Sequence, residues 1–281
     1  MRKVKIVCTL GPASSTPETI EAMIRAGMDV ARVNFSHGES AEHEERVKLV
    51  REAAHRVGRP IAVLGDLCGP KIRVKKVADG TILTKGSPVQ LEAAEFVGNA
   101  GRLPHSYGKL AEEARPGDPV LINDGLVKLR VQRIEGGIVH CTVEVGGPVA
   151  SQKGINLPAT AISAPALTDK DRADIELAKR LELDYLALSF VRSAADVVAT
   201  RKVAGDIPVL AKIEKPEALD DLEAILATAD GVMVARGDLG VELGHERVPM
   251  AQKRIIRATR PHARPVITAT QMLESMIHNE I

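Results

Sequence analysis

At 281 residues the chain is long enough for one large domain or two smaller ones, and a hydrophobic share of 44% supports a sizeable core. Aromatics make up only 2%, with no Trp, so the core must be built from Val, Ile, Leu and Ala, which argues against a nucleic-acid binder that stacks bases on rings. A formal net charge of +1 leaves no global field for DNA or a membrane surface. Cys8, Cys68 and Cys141 are far apart and odd in number, which fits a reducing cytosol better than a disulfide framework or a zinc site. Lys5 and Gly11-Pro12 interrupt the N-terminal apolar run before a signal sequence could form, and no stretch approaches the ~18 apolar residues of a membrane span. The expected protein is soluble and cytoplasmic.

The first apolar run, "KVKIVCTL", reads as a strand starting near Val4. Thr16-Pro17 then opens a helix whose apolar face is Ile20, Met23 and Ile24, and Gly27 stops it. "DVARVNFS", the amphipathic "HEERVKLVREAAHRVG" and "PIAVLGDL" continue a strand–helix–strand alternation, the pattern of parallel βα units. After "GPKIR" the pattern changes. Residues 74 to about 165 carry little helical periodicity beyond a short "YGKLAEEAR". "GLVKLRVQRI" and "GIVHCTVEV" alternate around a Glu135-Gly136-Gly137 turn, which predicts a hairpin in an inserted all-β domain. Helical pattern resumes at a capping box, Thr168 with Asp171. "DYLALSFV", "IPVLAKIE", "DGVMVARG" and "RPVITATQ" follow as strands, separated by helices that include one continuous helix over "PEALDDLEAILATA".

Seven apolar strands, beginning near Val4, Asp29, Ile61, Tyr185, Ile207, Val232 and Val266, predict an α/β fold of the TIM-type (β/α)₈ class, incomplete by one strand. The expected organisation is a first barrel part over 1–70, an inserted β lid over 71–165 and a second barrel part over 166–281. The abrupt end at "HNEI", after a helix expected from "QMLESM", suggests a chain interrupted before an eighth strand and therefore a poor enzyme on its own.

In such a barrel the active site gathers at the C-terminal ends of the strands. Those ends are polar almost without exception: Arg32, Asn34, Ser36 and nearby His37; Asp66, Lys71 and Arg73; Ser189; Lys212 and Glu214; Gly237 and Asp238; Thr268 and Thr270. Glu214 and Asp238 are hard oxygen donors suited to Mg²⁺ or Mn²⁺. Arg32, Arg73 and Lys212 place cations at the same mouth, and cations with a divalent metal are what phosphoryl transfer requires. "GDLG" after the sixth strand can open a short helix whose free N–H groups meet an anion. No Walker motif is present. Cys68 is expected to be inert, and His37 has only a weak claim from its position.

The segments "KIVCTLGPAS", "DVARVNFSHG", "GDLCGPKIR", "SQKGINLP", "LALSFVRSAADV", "AKIEKPEAL", "MVARGDLGVEL" and "ITATQMLESM" resemble the pyruvate kinase family, in order and along the whole chain. The resemblance implies transfer of a phosphoryl group from phosphoenolpyruvate to ADP, giving pyruvate and ATP. It implies that Lys212 neutralises the phosphoryl group in flight and that Glu214 and Asp238 hold the divalent metal. It implies that Arg32 meets the substrate phosphate, and that Gly237 and Thr270 face the substrate carboxylate and the proton delivery, with Ser189 among the substrate residues. Asn34, His37, Arg73 and Lys153 resemble nucleotide contacts, and Asn34, Ser36, Asp66 and the Leu67 carbonyl a monovalent-cation site. The family often has Glu where this chain has Lys71, so the ammonium is expected to replace K⁺ and make it dispensable. The family also continues past this chain's last residue, and its full-length form is expected to be a homo-oligomer. Two other readings stay open: a non-catalytic fragment that binds a ligand or partner, and another metal-dependent barrel enzyme acting on phosphoenolpyruvate or pyruvate.

Overall fold

The computed structural model describes residues 3–272 and 274–278. The chain begins β1 (Val7–Thr9), α1 (Pro17–Ala26), β2 (Val30–Asn34), α2 (Ser40–Val57) and β3 (Ala62–Asp66). The inserted region holds β4 (Ile82–Leu83), β5 (Pro88–Glu92), β6 (Arg102–Pro104), α3 (Leu110–Glu113), β7 (Pro119–Ile122), β8 (Val127–Glu135), β9 (Ile138–Val145), β10 (Gly147–Pro148) and β11 (Ile155–Asn156). The α/β pattern resumes with α4 (Asp169–Arg180), β12 (Tyr185–Leu188), α5 (Ala194–Ala204), β13 (Val209–Ile213), α6 (Pro216–Asp220), α7 (Leu222–Thr228), β14 (Gly231–Val234), α8 (Arg236–Leu243), α9 (Val248–Thr259) and β15 (Val266–Thr268).

Seven parallel strands form one curled sheet in the order β1-β2-β3-β12-β13-β14-β15, an incomplete (β/α)₈ barrel. Both faces are buried in the central strands β3, β12, β13 and β14, while β1 and β15 are only half-buried. Leu64, Ala187, Leu210 and Met233 fill its concave side, against Val7, Val30 and Ile267. Val33, Val63, Leu186, Val209, Ala211 and Val232 pack outward against the helices. Such two-sided burial explains why these strands read as unbroken apolar runs. Among the described residues β1 and β15 each pair on one side only.

The inserted region carries a separate six-stranded sheet, ordered β11-β7-β8-β9-β5-β6 and antiparallel except for the β5–β6 pair. Its core runs from Ile72 to Leu157 and is lined by alternate residues such as Leu129, Val131, Val139 and Val143. The β8–β9 hairpin turns at Gly136 and Gly137, both at positive φ, so the turn takes the left-handed backbone that glycine tolerates.

Local signals hold where they rest on side-chain chemistry. Thr16 caps α1 by accepting the Thr19 N–H at 3.3 Å. The Thr168 hydroxyl accepts the Asp171 N–H at 3.1 Å while the Asp171 carboxylate accepts the Thr168 N–H at 2.9 Å, completing the box that opens α4. Four expectations need correction. β1 begins at Val7 rather than Val4, because Val4 is exposed and the chain before Val7 has left the core. The fifth strand begins at Val209 rather than Ile207, after Pro208, which has no N–H to pair. The single helix expected over residues 216–229 is two, α6 and α7, separated by Asp221, whose carboxylate accepts the Ala194 N–H at the start of α5. Instead of a helix opening at "QMLESM", the described residues form a 3₁₀ turn over Glu274–Ile277. The final segment Asn279–Ile281 lies outside the described residues.

Candidate active site

The inward face of the barrel sheet builds the site by period-two alternation. Val7, Val30, Leu64, Ala187 and Leu210 line the interior. Two residues on, the side chain returns to the same face one layer nearer the C-terminal mouth. Those positions are Thr9, Arg32, Asp66, Ser189 and Lys212. Five strands thus raise a ring of polar groups directly above an apolar floor.

The ring is closely connected. Lys212 is buried, and its Nζ lies 2.8 Å from Glu214 Oε1, 3.2 Å from Asp66 Oδ1 and 2.7 Å from Ser189 Oγ. The Ser189 hydroxyl donates onward to the Leu67 carbonyl at 2.7 Å. Asp66, only 1% exposed, takes Arg32 on its other oxygen, Oδ2, with Nε at 2.7 Å. Its Oδ1 meets Lys212 as a charge contact without hydrogen-bond direction. Arg32 also donates to Thr9 Oγ1 at 2.7 Å. The second Glu214 oxygen accepts the Phe190 N–H at 2.8 Å.

Burial alone would push the Lys212 amine down, but the Glu214 and Asp66 carboxylates outweigh it and hold the amine above the ordinary lysine range. Burial pulls the Glu214 carboxyl upward; Lys212 opposes this and the negative charge of Asp238 adds to it. Three carboxylates, Asp66, Glu214 and Asp238, thus share this mouth with two barrel cations, Arg32 and Lys212. The donor set fits a hard dication. Glu214 and Asp238 are oxygen donors on neighbouring elements, and the described residues hold no cluster of three or more metal-type side chains. Mg²⁺ is commonly held by one or two carboxylates, with substrate oxygens and water filling the rest of its shell.

A cavity of about 180 Å³ opens over the ring, lined by Arg32, Lys212, Gly237, Asp238 and Thr270 among the expected residues. Gly237 and Asp238 lie in the first turn of α8, which starts at Arg236. The Gln271 carboxamide lies over Gly237, so close that a Cβ there would sit 1.4 Å from Gln271 Oε1.

The remaining expected residues stand elsewhere. Asn34 and Ser36 form a local turn, with Asn34 Oδ1 accepting the Ser36 N–H at 3.0 Å, and His37 is exposed beside them. Arg73 and Lys153 stand together at the root of the insert. Arg73 donates to the Gln152 carbonyl at 2.8 Å, and the Lys153 carbonyl accepts the Val74 N–H at 2.8 Å. The Lys71 stem rests on Gly154, its Cε 3.3 Å from where a Cβ would be. Within the set expected to hold a monovalent cation, Asn34 Oδ1, both Asp66 oxygens and the Leu67 carbonyl all have protein partners. Sequence reading passed over Thr9, although the strand-end rule used for the other strands would have found it. It also missed Gln271, and the Phe190 N–H, a backbone group with no side-chain signal.

The pyruvate kinase barrel-domain model matches residues 1–281. The chain belongs to the pyruvate kinase family. It is similar to a pyruvate kinase of Mycobacterium intracellulare, at 52% identity over 99% of this chain and 60% of the relative. Against pyruvate kinases of Corynebacterium glutamicum and Staphylococcus saprophyticus the identity is 48% and 44%, covering 60% and 49% of those proteins. The chain therefore spans about half to three-fifths of the length of these curated pyruvate kinases. No helix among the described residues is long and apolar enough to cross a membrane.

Proposed function

We propose that this chain carries the reaction centre of an enzyme that moves the phosphoryl group of phosphoenolpyruvate to ADP, giving pyruvate and ATP. The observation that carries the reading is the Lys212 ammonium, buried among Ser189, Asp66 and Glu214 beneath a cavity that also exposes Arg32 and Asp238. A fixed cation in a dry site is worth most where charge develops during the reaction, and the transferring phosphoryl group spreads its charge over equatorial oxygens.

In this reading Arg32 binds the substrate phosphate, and Asp66 and Thr9 hold its guanidinium in place. Lys212 meets the phosphoryl oxygens as the bond from phosphorus to the enol oxygen breaks and the bond to a terminal oxygen of ADP forms. The bond pair stays with the organic product as pyruvate enolate, which then takes a proton at carbon from the side of Thr270. The Gly237 N–H, in the first turn of α8, faces the substrate carboxylate. A divalent cation, Mg²⁺ or Mn²⁺, on Glu214 and Asp238 would supply charge neutralisation for the phosphoryl and enolate oxygens. Asn34, His37, Arg73 and Lys153 would meet the nucleotide as the β insert closes. The reading also includes a cytoplasmic setting and self-association, both resting on kinship.

Lys71 is assigned the positive charge that K⁺ would otherwise bring, so rates in K⁺ and in a large organic cation at equal ionic strength should match. Lys71→Glu should create K⁺ dependence. The central test is pyruvate formation from phosphoenolpyruvate with ADP and Mg²⁺ each omitted in turn. Pyruvate release that does not depend on ADP would overturn the reading.

A further inference from the structure

A second buried charge cluster lies behind the site, where the insert meets the barrel. Asn156, on β11 of the insert, donates from Nδ2 to Glu242 Oε1 at 2.8 Å. Lys215 Nζ reaches the same oxygen at 2.9 Å. Lys215 and Glu242 are only 6% and 7% exposed, and Glu242 Oε2 is buried without a hydrogen-bond partner. An ion pair taken out of water adds little net stability, and apolar side chains would fill the space at lower desolvation cost. Its placement offers a reason for it to be ionic. Lys215 directly follows Glu214. Glu242 stands one turn after Asp238 on the same face of α8. The donor on the other side belongs to the insert. One carboxylate oxygen is thus shared by a lid residue and by the lysine next to a metal-type carboxylate, on the helix that carries the other.

We propose that Asn156, Glu242 and Lys215 are positioning residues that couple the seating of the β insert to the placement of Glu214 and Asp238, so that the dication site is fully formed only with the insert seated. The inference rests on the reading of Glu214 and Asp238 as metal ligands. When Asn156 is in place, its amide helps Lys215 neutralise Glu242 and fixes the rotation of α8 and the start of α6. When the insert swings away, Glu242 loses a donor in a buried setting, and the two elements lose their shared anchor. On the opposite flank of the seam, Arg192 donates to the carbonyls of Ile162 and Ala164. Those bonds tie the return segment of the insert to the barrel without touching either metal-type carboxylate element, whereas Asn156 bonds a side chain of α8 directly.

The test uses Mn²⁺ alone, with binding read from loss of the free-ion spin-resonance signal, alongside amide hydrogen exchange over 155–157. Asn156→Leu removes the donor while leaving the Lys215–Glu242 pair, and should weaken Mn²⁺ binding by about tenfold, the lower end for outer-shell partners of a metal site. Glu242→Gln, which keeps an acceptor but removes the charge, should weaken it similarly and covers the case in which Asn156→Leu does not fold. Arg130→Ala, which loosens the insert two strands away from Asn156 by removing the guanidinium that holds Glu144 and the Gly117 carbonyl, should leave Mn²⁺ affinity unchanged. Faster exchange over 155–157 with unaltered Mn²⁺ affinity in both seam variants would reduce the cluster to a tether and overturn the proposal. An unsubstituted protein that binds Mn²⁺ yet transfers no phosphoryl group would count against the proposed reaction while leaving the coupling to stand on the Mn²⁺ data. No Mn²⁺ binding at all would remove both.

Discussion

The barrel mouth and the β insert place their candidate site residues in opposite ways. In the barrel, Asp66 is 1% exposed and Lys212 is 9% exposed, and each is held by partners from other strands. In the insert, Lys153 is exposed and the Arg73 guanidinium donates to the Gln152 carbonyl of its own root. A polar residue at the end of a strand that is apolar on both faces has few structural reasons to be there. A polar residue on an alternating antiparallel strand is simply the solvent side. In the proposed reaction the barrel groups are preorganised for charge stabilisation, and the insert groups have to be carried to the ligand.

The sharpest way to break this contrast is Lys212→Met. It should lower kcat by ~10³ or more while changing KM for phosphoenolpyruvate far less, since in the proposed reaction the lysine acts on charge that appears in the transition state. Near-normal turnover in steady-state kinetics would mean the buried cation is structural.

The insert should loosen in mild acid. Burial, helped by the neighbouring Lys75 cation, pushes His105 down to about 4, with Glu92 opposing. Its Nδ1 already accepts the Tyr107 N–H at 3.3 Å, which requires a neutral ring. The unfolded chain therefore takes up a proton at about 6.5 that the folded insert refuses. The stability His105 contributes is fully present above pH 6.5 and is lost as pH falls toward 4, by about 3 kcal/mol in total. Hydrogen exchange in β5, β6 and β9 at pH 7 and pH 5 should show loosening of the insert beyond that of the barrel, where burial also holds His43 below the ordinary imidazole range, and His105→Gln should flatten the insert's share. Equal loosening of the barrel sheet would show that the two regions do not unfold separately.

Gly237→Ala tests whether the mouth is as tightly built as it looks. A Cβ at this position meets the free end of the exposed Gln271 side chain, which can swing aside, so kcat/KM for phosphoenolpyruvate should fall by no more than about tenfold, and Gln271→Ala in the same chain should restore much of it. If the double variant is no better than the single, the loss comes from the α8 turn itself. The smallest effect is expected at Thr168→Ala, where losing the cap of α4 should cost about 1 kcal/mol in denaturant melts with little change in turnover.

Most of the polar ring of the candidate site was legible because charge at the end of an apolar strand is a local signal, and the ring follows from counting by two along each strand. Helix caps at Thr16 and Thr168 were legible for a similar reason, since the capping side chain sits beside the backbone it satisfies. What escaped depends on contacts distant in the chain. Asp221 divides the helix over 216–228 by turning its carboxylate to the Ala194 N–H, and nothing within "PEALDDLEAIL" announces that partner. The same holds for Asn156 with Glu242, and for Gln271 over Gly237. The insert's cationic residues were placed by family resemblance, because an alternating strand does not reveal which of its solvent-side groups meets a ligand.

The insert also bears on how the barrel assembles. β3 and β12 are neighbours in the sheet although the whole insert separates them in sequence. If that segment were floppy, bringing the two strands together would mean closing a loop of more than a hundred residues, at an entropic cost of about 4 kcal/mol. The folded insert has already joined its own ends, through the Arg73–Gly154 bridge and the Ile155 N–H to Ile72 carbonyl bond at 2.9 Å. The loop still to be closed is then only the short linker on one side and the α4 segment on the other, which lowers the cost by about 1 kcal/mol, or roughly fivefold in the rate of pairing. The insert thus acts as a knot tied early in the string. Its own collapse should precede barrel closure, and damage to its core should slow the folding of a sheet it does not belong to.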